Sequence, residues 1–163
     1  MTLAEAAEQA DALAEEGKER ELADLRRQWE DEVEAGARSA DYRERAVAYR
    51  AIGQFRFRQK IELLGRGLDD ESPACRGSAL ISLERLSRDA PGAVNSLRSA
   101  LHRLASADDN QAVRRLAIVC LRNGSAHRDT IVLLEGLGGD DRLERDLRET
   151  AAKVAAGLKR KGR

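Results

Sequence analysis

Aromatic residues, prolines, cysteines and histidines are all scarce in this sequence of 163 residues. Aromatics make up 3% of the residues although 42% are hydrophobic, so the core has to be built from Leu, Ala, Val and Ile. The two prolines leave long stretches free to form helices, and Ala and Leu are strong helix formers. These shortages predict an all-α fold.

Long apolar runs and an excess of one charge are also missing. No stretch approaches the roughly 18 apolar residues of a membrane-spanning helix, so we expect no membrane span. The acidic residues 1–10 lack the basic start and apolar run of a secretion signal, so we expect a cytoplasmic protein. Basic and acidic residues balance at 29 each. The balance is uneven, because residues 1–38 hold twelve acids and five bases, and residues 111–163 hold twelve bases and seven acids.

Residues that could carry out catalysis or bind a metal are few and scattered. His102 and His127 fall on different predicted helices, and neither has a second metal ligand four residues away. Cys75 and Cys120 fall on apolar positions of a repeated pattern, which favours small core residues over a disulfide or metal pair. No glycine-rich phosphate loop is present. We therefore predict no catalytic residue, no metal site and no cofactor, and a protein that is not an enzyme.

A ten-residue frame recurs four times in the chain. Its copies are ERAVAYRAIG (44–53), CRGSALISLE (75–84), VRRLAIVCLR (113–122) and LRETAAKVAA (147–156). Each copy has Arg at its second position, Ala three residues later, and a small or short residue three after that Ala. Successive arginines are separated by 31, 38 and 34 residues. Self-similarity at this period predicts a stack of repeated helical units.

Each frame is expected to lie on one helix of a helix pair. The framed helices are predicted at about 41–54, 73–88, 110–122 and 142–158, and the partner helices at about 58–68, 91–105 and 126–137. Residues 1–36 are predicted to form an antiparallel helical hairpin that does not fit the frame. Because terminal repeats are commonly atypical, we predict an acidic N-terminal cap at 1–36 and a repeat domain at 37–163. A mobile coiled-coil arm is the alternative for the cap.

One pattern in the sequence runs from Leu64-x-x-x-Leu68-Asp69 through an acidic turn to an apolar residue, Arg, two variable residues and Ala. This order resembles the HEAT-repeat family. The form is the short bacterial one, with the HEAT-like repeats also found in phycobilin lyases. The resemblance implies an α-solenoid of about four helix pairs over residues 41–158, with the framed helices lining the inner surface. It does not specify a function, and no residue here argues for lyase activity.

The resemblance also implies a structural ladder, in which each repeated Arg pairs with an Asp that precedes it. Asp69 or Asp70 would then pair with Arg76, Asp108 or Asp109 with Arg114, and Asp140 or Asp141 with Arg148. Arg45 has only the N-terminal cap before it.

The inner face is predicted from positions six and seven of each frame, which should turn towards solvent. In the two central frames these positions are aliphatic: Leu80-Ile81 and Ile118-Val119. An exposed apolar patch of this kind usually marks an interface. The alternative is that the N-terminal hairpin or a longer neighbouring helix covers it. The full predicted binding surface is Tyr49, Arg50, Leu80, Ile81, Arg115, Ile118, Val119, Arg122 and Lys153.

These features favour a non-enzymatic adaptor module for protein–protein interaction. Its inner face would hold a helix or extended segment of another protein, or a second copy of this chain, and its basic rim would favour an acidic partner. The alternative is a nucleic-acid-binding solenoid that uses residues 43–66, where Phe55 and Phe57 alternate with Arg56 and Arg58 among seven basic residues. Nucleic acid is the less favoured partner, because both Phe residues flank a tight turn beside an acidic cap.

Overall fold

Ten α-helices and one short 3-10 turn make up the protein, whose computed structural model describes residues 1–163 and contains no β-strand. The chain divides into an N-terminal unit, 1–86, and a C-terminal unit, 87–163. The helices are α1 (Leu3–Glu15), α2 (Glu19–Ala37), α3 (Tyr42–Gln54), α4 (Ile61–Leu68), α5 (Pro73–Ser87), α6 (Pro91–Ser96), α7 (Arg98–Ala107), α8 (Gln111–Leu121), α9 (Arg128–Gly138) and α10 (Arg145–Lys161).

All four predicted framed helices are present, as α3, α5, α8 and α10. The predicted partner helix at 91–105 is instead two helices, α6 and α7, which meet at Leu97. Ser96 explains the break, because its hydroxyl donates to the carbonyl of Ala93 at 3.0 Å and competes with the helical backbone. Helix α10 begins three residues later than predicted. The carboxylate of Asp140 accepts a hydrogen bond from the amide of Arg142 at 3.0 Å and holds the preceding turn.

In the N-terminal unit, α1, α2 and α3 pack against one another. The turn between α1 and α2 contains Gly17 at φ 71°, a left-handed conformation that costs glycine little. Small residues make the contact close, since Ala6, Ala7 and Ala10 of α1 are fully buried. The hairpin predicted at 1–36 therefore forms and packs on the first framed helix.

Helices α3 and α5 run parallel, because their starts and their ends each lie together. At the start, the Cys75 thiol donates to the carbonyl of Tyr42 at 3.2 Å. Near the end, the Ser82 hydroxyl donates to the carbonyl of Tyr49 at 2.6 Å and accepts from the amide of Gly53 at 2.9 Å. A Cβ at Gly53 would lie 2.7 Å from the Ser82 Cα, so this approach requires glycine.

In the C-terminal unit, α8 packs against α7 and α10, and α9 packs against α10 and α7. The Ala shared by every frame is fully buried in all four copies: Ala48, Ala79, Ala117 and Ala151. Cys75 and Cys120 are also fully buried and form no disulfide, as their positions in the frame predict. The frame therefore marks the face on which each helix packs.

Candidate protein-binding groove

Three residues of the predicted binding surface are buried, so the prediction that they form an exposed patch is wrong. Leu80 and Ile118 are fully buried, and Tyr49 is 3% exposed. All three residues occupy position six of their copy of the frame. Tyr49 is buried because its ring packs beside Gly67 of α4. A helix with neighbours on several sides buries a wider arc than the single apolar stripe of a surface helix.

Four other residues of the predicted surface line one groove, between α8 and α10 of the C-terminal unit. They are Arg115, Val119, Arg122 and Lys153. The remaining lining comes from Thr150, Val154, Gly157 and Arg160, all on α10. The groove has a volume of about 300 Å³. Its walls are basic and its floor is small and aliphatic.

Helical periodicity explains why these side chains share a groove. Arg115 and Val119 of α8 and its C-terminal cap Arg122 have spacings of four and three, which place them on one face. On α10 the same periodicity runs from Thr150 to Arg160. Each helix therefore turns one continuous stripe towards the groove.

Contacts at both ends show that α8 and α10 run parallel. Near their starts, the guanidinium of Arg115 lies 3.1 Å from the carboxylate of Asp146. Near their ends, the ammonium of Lys161 donates to the carbonyls of Arg122, at 2.9 Å, and Gly124, at 2.8 Å. Lys161, the last residue of α10, thus ties the end of α10 to the end of α8.

Positive charge dominates the groove. Lys153 and Arg160 are exposed and form no ion pair, whereas Arg115 shares its charge with the exposed Asp146. Thr150 is occupied locally, since its hydroxyl donates to the carbonyl of Asp146 at 2.8 Å. Lys153 and Arg160 therefore have no acid partner at the groove, which can attract a negatively charged group.

Residues 30–104 match the family model described as HEAT repeats. This part of the chain therefore consists of HEAT repeats. The predicted family and the all-α HEAT-type fold class are confirmed. HEAT repeats generally serve as scaffolds for protein interaction and are typically not enzymes. Comparison with the curated proteins and with the solved structures gives no match.

The groove lies beyond the residues that match the HEAT model, in the part of the chain that the repeated frame identifies. Sequence reasoning missed four of its lining residues, Thr150, Val154, Gly157 and Arg160. The signal was present, because these residues continue the helical spacing that starts from Lys153. Gly157 has no side chain, so the sequence gives no sign that it lines a groove. A Cβ at this position would meet only the guanidinium of Arg160, at 3.8 Å.

Arg50 and Ile81 of the predicted surface do not line this groove. Arg50 is half-buried in the N-terminal unit, where it borders a hollow of about 280 Å³ beside Ala4 and Glu8 of α1. Ile81 is 36% exposed, whereas Val119 is half-buried. The binding role predicted for these two residues stays a prediction.

The ladder arginine of the first HEAT frame has an acid partner that the sequence analysis did not assign to it. The guanidinium of Arg45 donates to both carboxylate oxygens of Asp70, at 2.9 and 3.1 Å. Arg76, the expected partner of Asp70, donates to its main-chain carbonyl at 2.9 Å. Burial alone would raise the pKa of Asp70, but hydrogen bonds from Arg45 and the amide of Ser72 lower it. Asp70, which precedes the second framed helix, is thus held by the arginine of the first frame.

Of the ladder arginines of the C-terminal unit, Arg148 lies near one of its two expected acids, and Arg114 contacts main-chain carbonyls. Arg114 is buried and donates to the carbonyls of Ala105, at 2.9 Å, and Ser106, at 3.1 Å. Arg148 lies 3.6 Å from the exposed carboxylate of Asp141. A pairing of Arg114 with Asp109 stays a prediction, and Asp109 is exposed in the turn before α8.

The basic segment at 43–66 does not present the stacking surface that nucleic-acid binding requires. Phe55 and Phe57 are fully buried and pack on each other, with ring centroids 5.3 Å apart. Both aromatic rings are therefore part of the core. No base could stack on them in this structure.

Two cations of the same segment are also engaged inside the N-terminal unit. Arg56, buried at φ 59°, donates to Asp11 at 2.8 Å and to Glu15 at 3.1 Å. Lys60, also buried, donates to Glu30 at 3.1 Å and to Glu34 at 2.6 Å. The hydrogen bond from Lys60 is the main reason that the pKa of Glu34 is lowered, and Arg38 adds to it. These contacts join the acidic hairpin to the turn between α3 and α4.

No group of three or more metal-ligating side chains occurs in the structure. His102 contacts the hydroxyl of Thr130 at 2.8 Å, and burial lowers its pKa. His127 accepts from the amide of Asp129 at 3.2 Å and caps α9. Both histidines therefore have structural contacts. No helix of the protein has the length and apolar character needed to cross a bilayer.

Proposed function

We propose that this protein is a non-enzymatic interaction module of the cytoplasm, and that the groove between α8 and α10 holds a segment of a partner protein. The observation that carries the proposal is the lining of this groove. Four cations surround a floor of Val119, Val154 and Gly157, and neither Lys153 nor Arg160 has an acid partner within the chain.

An aliphatic floor with a charged rim has the composition of a protein-binding surface. Apolar side chains at the centre of an interface supply affinity, and charges at its rim supply orientation and partner choice. Gly157 adds to this, because the missing side chain lets a partner approach the backbone of α10. A glycine inside a helix costs about 1 kcal/mol relative to alanine, so the opening comes at the expense of stability.

Filling the groove tests the proposal without damaging the fold. Gly157→Leu places a side chain on the groove floor, where a Cβ meets nothing closer than 3.8 Å. Gly136→Leu is the matched control, because Gly136 lies in α9 outside the groove and a Cβ there meets nothing within 4 Å. Both substitutions replace a helical glycine and are expected to leave the protein folded.

The measurement is the set of proteins that immobilised wild type, Gly157→Leu and Gly136→Leu retain from an extract of the native host. We expect at least one protein that binds the wild type and the Gly136→Leu variant and is lost with Gly157→Leu. Identical sets for all three proteins would show that the groove is not the binding site.

A further inference from the structure

The cations of the groove are regularly spaced. Arg115 of α8 and its C-terminal cap Arg122 are seven residues apart, and Lys153 and Arg160 are seven residues apart on α10. Seven residues are close to two helical turns and span about 10 Å at a rise of 1.5 Å per residue. Since α8 and α10 are parallel, the groove presents two rows of positive charge with the same period.

This spacing matches one kind of ligand backbone. A helix with acidic residues seven positions apart presents its carboxylates on one face, also about 10 Å apart. A strand presents same-face side chains about 7 Å apart for alternate residues and about 13 Å apart for every fourth residue, and neither distance matches. The cation spacing therefore favours a helical ligand over an extended one.

The size and floor of the groove restrict the ligand further. A space of about 300 Å³ accepts the side chains of one helix face and not a whole helix, whose diameter is about 10–12 Å. Val119, Val154 and Gly157 offer small aliphatic contacts between the cations. The side chains that lie between the ligand's carboxylates should therefore be small and apolar.

We propose that the partner segment is an acidic amphipathic helix of another protein, with carboxylates seven residues apart and small aliphatic residues between them. The inference rests on the function proposed above and names the chemistry of the partner. A nucleic acid is less suited to the groove, because no aromatic side chain lines it and a base would have nothing to stack on.

The probe is a synthetic Ala-rich helical peptide of about 20 residues with two Glu residues seven positions apart. One control peptide has Gln in place of both Glu residues. A second has the two Glu residues five positions apart, which puts them on different faces of the helix. A single-stranded oligothymidylate tests a plain polyanion. Binding of each to the full chain is measured by titration calorimetry at low and moderate salt.

We expect the peptide with seven-residue spacing to bind at least tenfold more tightly than both control peptides and the oligonucleotide, a difference of 1.4 kcal/mol or more. Lys153→Glu should weaken its binding at least tenfold. Arg128→Glu is the matched control, because Arg128 is an exposed α9 cation without an ion pair and lies outside the groove. That variant, which changes the net charge equally, should bind like the wild type.

Other outcomes overturn the inference. Equal binding of the Gln peptide would show that the ligand needs no carboxylates. Equal binding of the peptide with five-residue spacing would show that the carboxylates need not lie on one face of a helix. Tighter binding of oligothymidylate would indicate a nucleic-acid groove, and equal losses in Lys153→Glu and Arg128→Glu would indicate a net-charge effect. Self-association that is lost in Lys153→Glu, without peptide binding, would make a second copy the occupant. The Gly157→Leu capture experiment is independent, so the groove can fail as an acidic-helix site and still stand as a protein-binding site.

Discussion

The parallel framed helices form two pairs, α3 with α5 and α8 with α10, which share the repeat frame. The helices of the first pair are in close contact, whereas a groove lies between those of the second. Where α3 meets α5, Gly53 at position ten of the first frame accepts the close approach of Ser82 at position eight of the next. Where α8 meets α10, the same two positions hold Arg122 and Val154, and both line a groove. The frame specifies that the helices pair. The residues at these two positions decide whether the seam, meaning the contact line between two paired framed helices, is closely packed or open as a groove.

The N-terminal and C-terminal units also differ in charge. The N-terminal unit holds 19 acidic and 14 basic residues, and the C-terminal unit holds 10 acidic and 15 basic. In the N-terminal unit, acids of the hairpin neutralise the buried cations Arg56 and Lys60. In the C-terminal unit, Lys153 and Arg160 remain exposed without ion pairs. The N-terminal unit therefore buries two cations in ion pairs with its own acids, whereas the C-terminal unit keeps two cations exposed at the groove.

The sharpest test of the comparison is Gly53→Ala. The new Cβ would lie 2.7 Å from the Ser82 Cα, which forces α3 and α5 apart. Overpacking of this kind costs about 1–3 kcal/mol, so we expect a clearly lower urea midpoint. An unchanged midpoint would mean that this seam is not tightly packed and that the two helix pairs do not differ in this respect.

Acid should destabilise the N-terminal unit through Glu34 and Asp70. Their pKa values are lowered from 4.5 and 3.8, so their stabilisation is complete above those values. It is lost as the pH falls below about 4.5 and passes through the folded-state pKa values, because the unfolded chain then binds more protons. The urea midpoint should therefore fall between pH 5 and pH 3.

Lys60→Met serves as the control for this acid dependence. It removes the main cause of the lowered pKa of Glu34 and should cost about 1–2 kcal/mol at pH 7, since hydrogen bonds to charged groups are lost. The variant should then lose less stability than the wild type between pH 5 and pH 3. Parallel pH profiles for the two proteins would contradict the role of this ion pair.

The smallest expected effect is that of Gly157→Ala, the counterpart of Gly53→Ala in the open seam. A Cβ at Gly157 meets no close neighbour, so only the helix propensity changes. We expect a gain of just under 1 kcal/mol in the free energy of unfolding, measured by urea titration. A loss of stability would mean that the seam between α8 and α10 is as closed as the one between α3 and α5.

Much of the helical architecture could be predicted from the sequence. The buried Ala48, Ala79, Ala117 and Ala151 follow from the frame alone, because helical periodicity puts them on the packed face. The partner helices were predicted less accurately, because the second one, expected at 91–105, is divided by Ser96 and a turn at Leu97. Of the nine residues of the predicted binding surface, four line the groove and three are buried, and binding at this surface stays a prediction.

The sequence by itself determined the helices, their pairing and the uneven charge, because these depend on local propensity and on a period that can be counted. Only the tertiary structure decided that Leu80 and Ile118 are buried, that Arg45 holds Asp70, and that Gly157 lies on the floor of a groove. The physical reason is that periodicity reports which residues share a helix face. It does not report how many neighbouring helices cover that face, or how closely their backbones approach, and both depend on residues far apart in the chain.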